Sequence, residues 1–267
     1  MKKAGLRFGV SSRLLSSFPI QEAILIAGRE GFSGIEIWAF HLERDGKGGL
    51  KGLIREAGIE ASIHAPYEGL NLADRDDELR KKAMRLVERA LEDSSALGIS
   101  KVVIHPGRWH QEDMPCTERY HFEVMGQIAK RAGSLGVTLC LENMENRDGE
   151  VFVEPESIRR LVDAVGSPNL EVLLDLTHAS TWGDPVEFMD RVGKFHHVHM
   201  SDLGIENTHA PLGMGRLDLD RVIVELARRY KGLAIIEGYL PWAETSEDEM
   251  EIVIQNRKFL EDRSWLK

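Results

Sequence analysis

The sequence predicts a single α/β domain over residues 1–267, folded as a closed (β/α)₈ barrel, and three observations carry that prediction. Short apolar runs alternate with longer amphipathic stretches from one end to the other, the pattern of parallel βαβ units. Eight such pairs can be counted, which favours closure over an open sheet. The length, 267 residues, is close to the roughly 250 usual for one closed barrel.

The elements follow in order. A first strand, Leu6–Val10, ends in Val10-Ser11-Ser12, and a helix over Pro19–Arg29 stops before Gly31. GIEIW, Gly34–Trp38, is the second strand, followed by a helix over Leu50–Ala57 that Gly58 ends. The third pair is Ile59–His64 and Asp77–Leu97, closed by Gly98, with the Asp- and Arg-rich piece 74–80 as a solvated helix start. Lys101–His105 precedes a helix over Thr117–Leu135, closed by Gly136. Glycine suits these ends because it enters the left-handed conformation that terminates helices. Thr138–Glu142 and Glu156–Val165 form the fifth pair, Leu170–Asp175 and Asp184–Arg191 the sixth. Pro155 and Pro185 stand at those two helix starts, where a missing N–H costs nothing. Phe195–Met200 with Asp218–Tyr230, then Ala234–Glu237 with Glu247–Leu260, complete the series. The longest irregular stretches, Pro106–Cys116 and Leu203–Leu217, both follow strands and would overlie the face where barrel active sites form.

The formal charge is −10, from 34 basic and 44 acidic residues, which argues against a general nucleic-acid coat while leaving room for a local basic groove. Cys116 and Cys140 make no CxxC pair, so a reducing compartment is expected. MKKAGLRFGV lacks the apolar core of a secretion signal, and no apolar run approaches a membrane span. The expectation is a cytoplasmic protein with no membrane partner, for which a homo-oligomer is compatible.

Position is the informative feature of the polar residues. At or just beyond the strand ends stand Glu36, His64, His105, Glu142, Asp175 with His178, His199 and Glu237, and His209 lies in the loop after strand seven. Barrel closure would bring these onto one C-terminal face. A lone histidine at a strand end is usually a hydrogen-bonded structural residue, and a lone buried glutamate usually pairs with a cation. Here several carboxylates would crowd together with no lysine at the C-terminal end of any strand. Their repulsion and desolvation call for a divalent cation, and carboxylate–imidazole sets suit Zn²⁺, Mn²⁺ or Co²⁺. The absent lysine, and the absence of a GxSxG elbow, a P-loop or a GxGxxG after the first strand, leave Schiff-base, covalent-serine, nucleotide-dependent and hydride-transfer chemistry unsupported.

An ordered series of motifs from Phe8 to Glu237 resembles the xylose-isomerase-like TIM barrel superfamily, which includes sugar isomerases and epimerases and endonuclease IV. The motifs are GIEIW, IHAPYEGLNLAD at 63–74, VVIHPG at 102–107, LCLENMEN at 139–146, LLDLTHA at 173–179, HHVHMSD at 196–202, HAPLGMG at 209–215 and IIEG at 235–238. The resemblance to the epimerases implies one metal held by Glu142, Asp175, His199 and Glu237. It implies that Glu142 and Glu237 exchange protons with carbon through an enediolate, and that His178 hydrogen-bonds a substrate oxygen. The resemblance to endonuclease IV implies a larger set that adds His64, His105, His178 and His209, for two or three metals. Its remaining aspartate position is Asn207 here, a weaker ligand, and the arginine that ketose 3-epimerases carry after the strand-seven histidine is missing from MSDLGIEN.

Glu36, Tyr67, Arg108, Arg216 and Trp109 are the substrate-binding candidates, with ordinary surface arginines as the alternative for Arg108 and Arg216. Trp109, Trp182 and Trp242 would stack on a sugar ring or plug the rim. The reading favoured is a metal-dependent isomerase or epimerase of a small sugar, sugar phosphate or related polyol ketone. The alternative is an endonuclease IV-like phosphodiesterase acting at abasic sites, with DNA as partner. Against the alternative, no loop is rich in the arginines and aromatics that grip a duplex. A non-catalytic sugar- or metal-binding barrel is disfavoured because both acid–base carboxylates are present.

Overall fold

A computed structural model describes residues 5–108, 114–205, 209–240, 243 and 245–266, with only the backbone of 114–116. The strands are β1 Arg7–Ser11, β2 Gly34–Trp38, β3 Glu60–His64, β4 Lys101–Ile104, β5 Thr138–Glu142, β6 Leu170–Asp175 and β7 His197–Met200. A two-stranded ribbon, β8 Asp202–Leu203 and β9 His209–Ala210, precedes β10 Leu233–Ile236. The barrel is closed in the order β1-β10-β7-β6-β5-β4-β3-β2. The helices are α1 Ile20–Arg29, α2 Ala39–Asp45, α3 Leu50–Ala57, α4 Asp77–Leu97, α5 Met114–Ser134, α6 Pro155–Val165, α7 Leu176–Trp182, α8 Pro185–Val192, α9 Leu219–Arg229 and α10 Ser246–Asp262. No helix among the described residues is long and apolar enough to cross a membrane.

The expected strands and helices are all present, with shifted ends. Gly58 and Gly98 terminate α3 and α4 in the left-handed region at φ 67° and 75°, and Pro155 and Pro185 open α6 and α8. Two helices were not anticipated, α2 and α7. The second exists because the Asp175 side chain accepts the N–H of His178 and caps its first turn. The stretch expected to be irregular after strand seven contains the β8–β9 ribbon.

The chain forms two compact units, Met1–Ala61 with His197–Lys267, and Ser62–His196. In the first, β1 pairs in parallel with β2 and β10, and β10 with β7. Phe8, Val10, Ile35, Ile37, Val198, Met200 and Ile235 are at most 1% exposed. Burying each such side chain stabilises the fold by up to about 1.5–3 kcal/mol. Helix α1 covers this sheet with Ile20, Ala23, Ile24 and Ala27, the i, i+3, i+4, i+7 stripe of an amphipathic helix. In the second unit β3, β4, β5 and β6 pair in sequence, around a core containing Val103, Cys140 and Leu173.

Two loops over the strand ends are held by single side chains. The buried Asp202 carboxylate accepts the N–H groups of Leu203, Gly213, Gly215 and Leu217 at 2.8–3.1 Å, which fixes the segment leading from the ribbon. Asn71 Oδ1 accepts from Ala73 and Arg108 at 2.9 and 2.8 Å, and a Cβ on Gly107 would lie 2.3 Å from the Ala73 nitrogen. Gly9 of β1 is in register with Gly34 of β2, and a Cβ on Gly9 would lie 2.8 Å from the Gly34 carbonyl oxygen. Backbone cannot yield as a side chain does, so Gly9→Ala is expected to cost about 1–3 kcal/mol. Its urea midpoint should fall relative to the native chain, whereas Gly48→Ala, with open space around it, should leave the midpoint unchanged.

Candidate metal centre

Two carboxylate–imidazole clusters stand at the strand ends, one in each compact unit. In the first unit, strand periodicity puts His197 and His199 on one side of β7. β1–β2 register sets Glu36 beside Ser11, and all four residues are fully buried. Glu36 Oε2 lies 3.0 Å from His197 Nε2, and Glu36 Oε1 lies 2.9 Å from His199 Nε2. Burial alone would push the Glu36 carboxyl up, but the His199 and His197 imidazoles outweigh it and hold the group well below the usual carboxylate range. The other ring nitrogen of His199, Nδ1, is 3.2 Å from Glu237 Oε2. Glu237 Oε1 is 3.2 Å from His209 Nδ1, which the ribbon brings within 2.9 Å of Ser201 Oγ.

In the second unit Glu142, at the end of β5, is the hub. Its Oε2 lies 3.2 Å from His105 Nε2 and 3.9 Å from His64 Nε2, and its Oε1 lies 3.3 Å from His178 Nδ1. His64 Nδ1 is 2.9 Å from the Ala65 carbonyl, so the proton sits on that nitrogen and the Nε2 lone pair faces the carboxylate. His178 Nδ1 contacts the Asn143 carbonyl at 2.8 Å, so the proton lies on the nitrogen nearest Glu142 and the lone pair is on Nε2. Asp175 caps α7 through Oδ1, which lies 3.7 Å from His178 Nδ1. Asn143 clamps the β5 and β6 ends together, its Oδ1 accepting from Asp175 N at 2.8 Å and its Nδ2 donating to Asp175 O at 3.1 Å. Tyr67 stacks on His105 with ring centroids 4.2 Å apart.

The donor set fits a divalent ion. Buried carboxylates carry a desolvation cost that a cation removes, and imidazoles whose protons are committed elsewhere present lone pairs. Three donors of His64, His105 and Glu142 lie within 4.8 Å of one another.

The other sequence candidates fall as follows. Glu36, expected at the substrate, is buried with an imidazole on each oxygen. Arg108 is exposed and ion-paired with Glu150 at 2.9 Å, the surface arginine of the alternative reading. Arg216 is also exposed. Trp182 packs edge-on against Phe188 and under Arg191, within the helical layer. Trp109, Asn207 and Trp242 lie outside the described residues. Sequence reading missed His197, although its i, i+2 spacing from His199 on a strand was the available signal. It also missed Asn143, and the rim group in which Arg13 lies over Trp38 and Tyr239 at 4.7 and 5.5 Å.

Comparison with known proteins places these features in a family. Residues 25–263 match the family described as "Xylose isomerase-like TIM barrel". The uncharacterised protein MJ1311 of Methanocaldococcus jannaschii is 30% identical over 190 residues, a match spanning 67% of this chain and 64% of that protein. A probable endonuclease 4 of Ureaplasma urealyticum is 24% identical over 239 residues, covering 80% of this chain and 76% of the relative. A crystal structure of a D-tagatose 3-epimerase-like protein superposes with a TM-score of 0.81 at 27% identity, covering 97% of this chain and 98% of its own. With the family match spanning nearly the whole barrel, the chain belongs to the xylose isomerase-like TIM barrel family.

Proposed function

We propose that this protein is a divalent-metal-dependent isomerase or epimerase of a small polyhydroxy ketone, free or phosphorylated, and that Glu142, Asp175, His199 and Glu237 hold the metal. The observation that carries the reading is a pair of buried glutamates, Glu142 and Glu237, each flanked by imidazoles at a strand end. The proposed ligands stand at the ends of the neighbouring strands β5 and β6 in one compact unit, and on or just beyond the neighbouring strands β7 and β10 in the other. The likeness to a D-tagatose 3-epimerase-like protein over 97% of the chain supports the same class of substrate.

A divalent ion in such a cup supplies a Lewis acid that acidifies the C–H beside a carbonyl. Glu142 then takes a proton from the carbon carrying the hydroxyl, leaving its electron pair shared with the adjacent carbonyl carbon. Glu237 delivers a proton from the opposite face, so configuration inverts without any change in oxidation state. His178, whose Nδ1–H is held by the Asn143 carbonyl, hydrogen-bonds a substrate hydroxyl by accepting at Nε2. Return of the proton to the former carbonyl carbon instead, with the hydroxyl proton passing to the other oxygen, shifts the carbonyl to its neighbour; when that neighbour is the terminal carbon this is ketose–aldose isomerisation.

A second reading has its own support. His64 and His105 add imidazoles to Glu142, and an endonuclease 4 relative covers 80% of the chain, so a multi-metal phosphodiesterase acting at abasic sites is the alternative. Elemental analysis separates the two: a ratio near one metal per chain is expected, while a ratio near three together with nicking of an abasic-site duplex favours the nuclease. On a panel of ketoses and ketose phosphates supplemented with Mn²⁺, Co²⁺ or Zn²⁺, Glu142→Gln and Glu237→Gln are each expected to lower kcat by about 10²–10⁴-fold. Full turnover by either variant would remove the proposed proton transfers.

A further inference from the structure

We propose that Glu36 is a positioning residue that fixes the tautomer and orientation of His199, and that His197 in turn holds Glu36. The inference rests on the reading of His199 as a metal ligand and assigns it the nitrogen that does the work.

Glu36 is fully buried on β2, and each of its oxygens has an imidazole Nε2 at 2.9–3.0 Å. An ionised carboxylate only accepts: His197 donates its Nε2–H to Oε2, and at 2.9 Å from Oε1 a neutral His199 is favoured with its proton on Nε2, where a lone pair would face the anion. For neutral His199 this leaves the lone pair on Nδ1, the atom 3.2 Å from Glu237 Oε2. The proton is therefore tied on the side away from Glu237, and the ligating nitrogen points at the carboxylate that would share its ion. Without Glu36 the imidazole could carry its proton on Nδ1, or turn its ring, and each change would spoil the ligand. His197 completes the arrangement: it shares one side of β7 with His199 and occupies the second oxygen, so Glu36 cannot rotate away. The ladder supports the carboxylate from behind, because Glu36 is in register with buried Ser11 of β1. Since Glu36 has no exposed surface, it does not touch substrate; its effect passes through His199.

The test is a zinc titration of metal-stripped protein against a competing chromophoric chelator, on native chain, Glu36→Gln and His197→Gln, with folding checked by circular dichroism. Glutamine keeps the size of Glu36 but cannot accept from both imidazoles. Glu36→Gln is expected to weaken zinc binding about 10–100-fold in a protein that remains folded, with His197→Gln moving the same way by less. A folded Glu36→Gln protein that binds zinc as tightly as the native chain overturns the proposal and leaves the metal reading intact. A native chain that binds no zinc overturns the metal reading itself. Long-range ¹H–¹⁵N correlation spectra of the native metal-free protein give an independent readout that needs no variant to fold. His199 protonated at Nε2 is the expected result, and His199 protonated at Nδ1 contradicts the assignment.

Discussion

Negative charge buried at strand ends is the constraint on which the rest of the structure depends. Glu36, Glu142, Asp175 and Glu237 are all buried, and a buried carboxylate without compensation costs several kcal/mol. In each compact unit imidazoles approach these carboxylates. Neutral imidazole is a weaker partner than a fixed cation, but it is one that can also ligate a metal. An ion pair with arginine would have settled the electrostatics and left no reactive site. Histidine leaves the carboxylates partly compensated and receptive to a divalent ion.

Much of the remaining architecture keeps these donors in place. Asn143 ties the β5 end to the β6 end through a two-way amide–backbone clamp, so Glu142 and Asp175 are held by one side chain. Asp202 collects four backbone N–H groups and fixes the segment that returns from His209. Asn71 and Gly107 do the equivalent for the loop after His105. None of these residues needs to touch a substrate. Each reduces the freedom of a proposed ligand, and a constellation held within fractions of an ångström is what metal and acid–base chemistry require.

The barrel was legible in the sequence because its signals are local and repeated. Alternating apolar runs, glycine at helix ends and proline at helix starts all report backbone conformation directly, and α3, α4, α6 and α8 follow them closely. Helices α2 and α7 were missed because each is a single short segment, and the cap that starts α7 is Asp175, a residue that also read as a ligand. The gathering of His64, His105 and His178 around Glu142, and of His199 and His209 around Glu237, was legible from position at or beyond the strand ends. The hydrogen-bond partners were not. That Glu36 sits between His197 and His199 depends on the parallel register of β1 with β2 and of β10 with β7, which no motif encodes.

The most direct test of the central claim is a zinc-soaked crystal measured on both sides of the zinc absorption edge. The account predicts an anomalous peak about 2.0–2.2 Å from donor atoms of Glu142, Asp175, His199 and Glu237. A fully zinc-exposed crystal without a peak at those four residues, or with zinc bound only elsewhere, would contradict it.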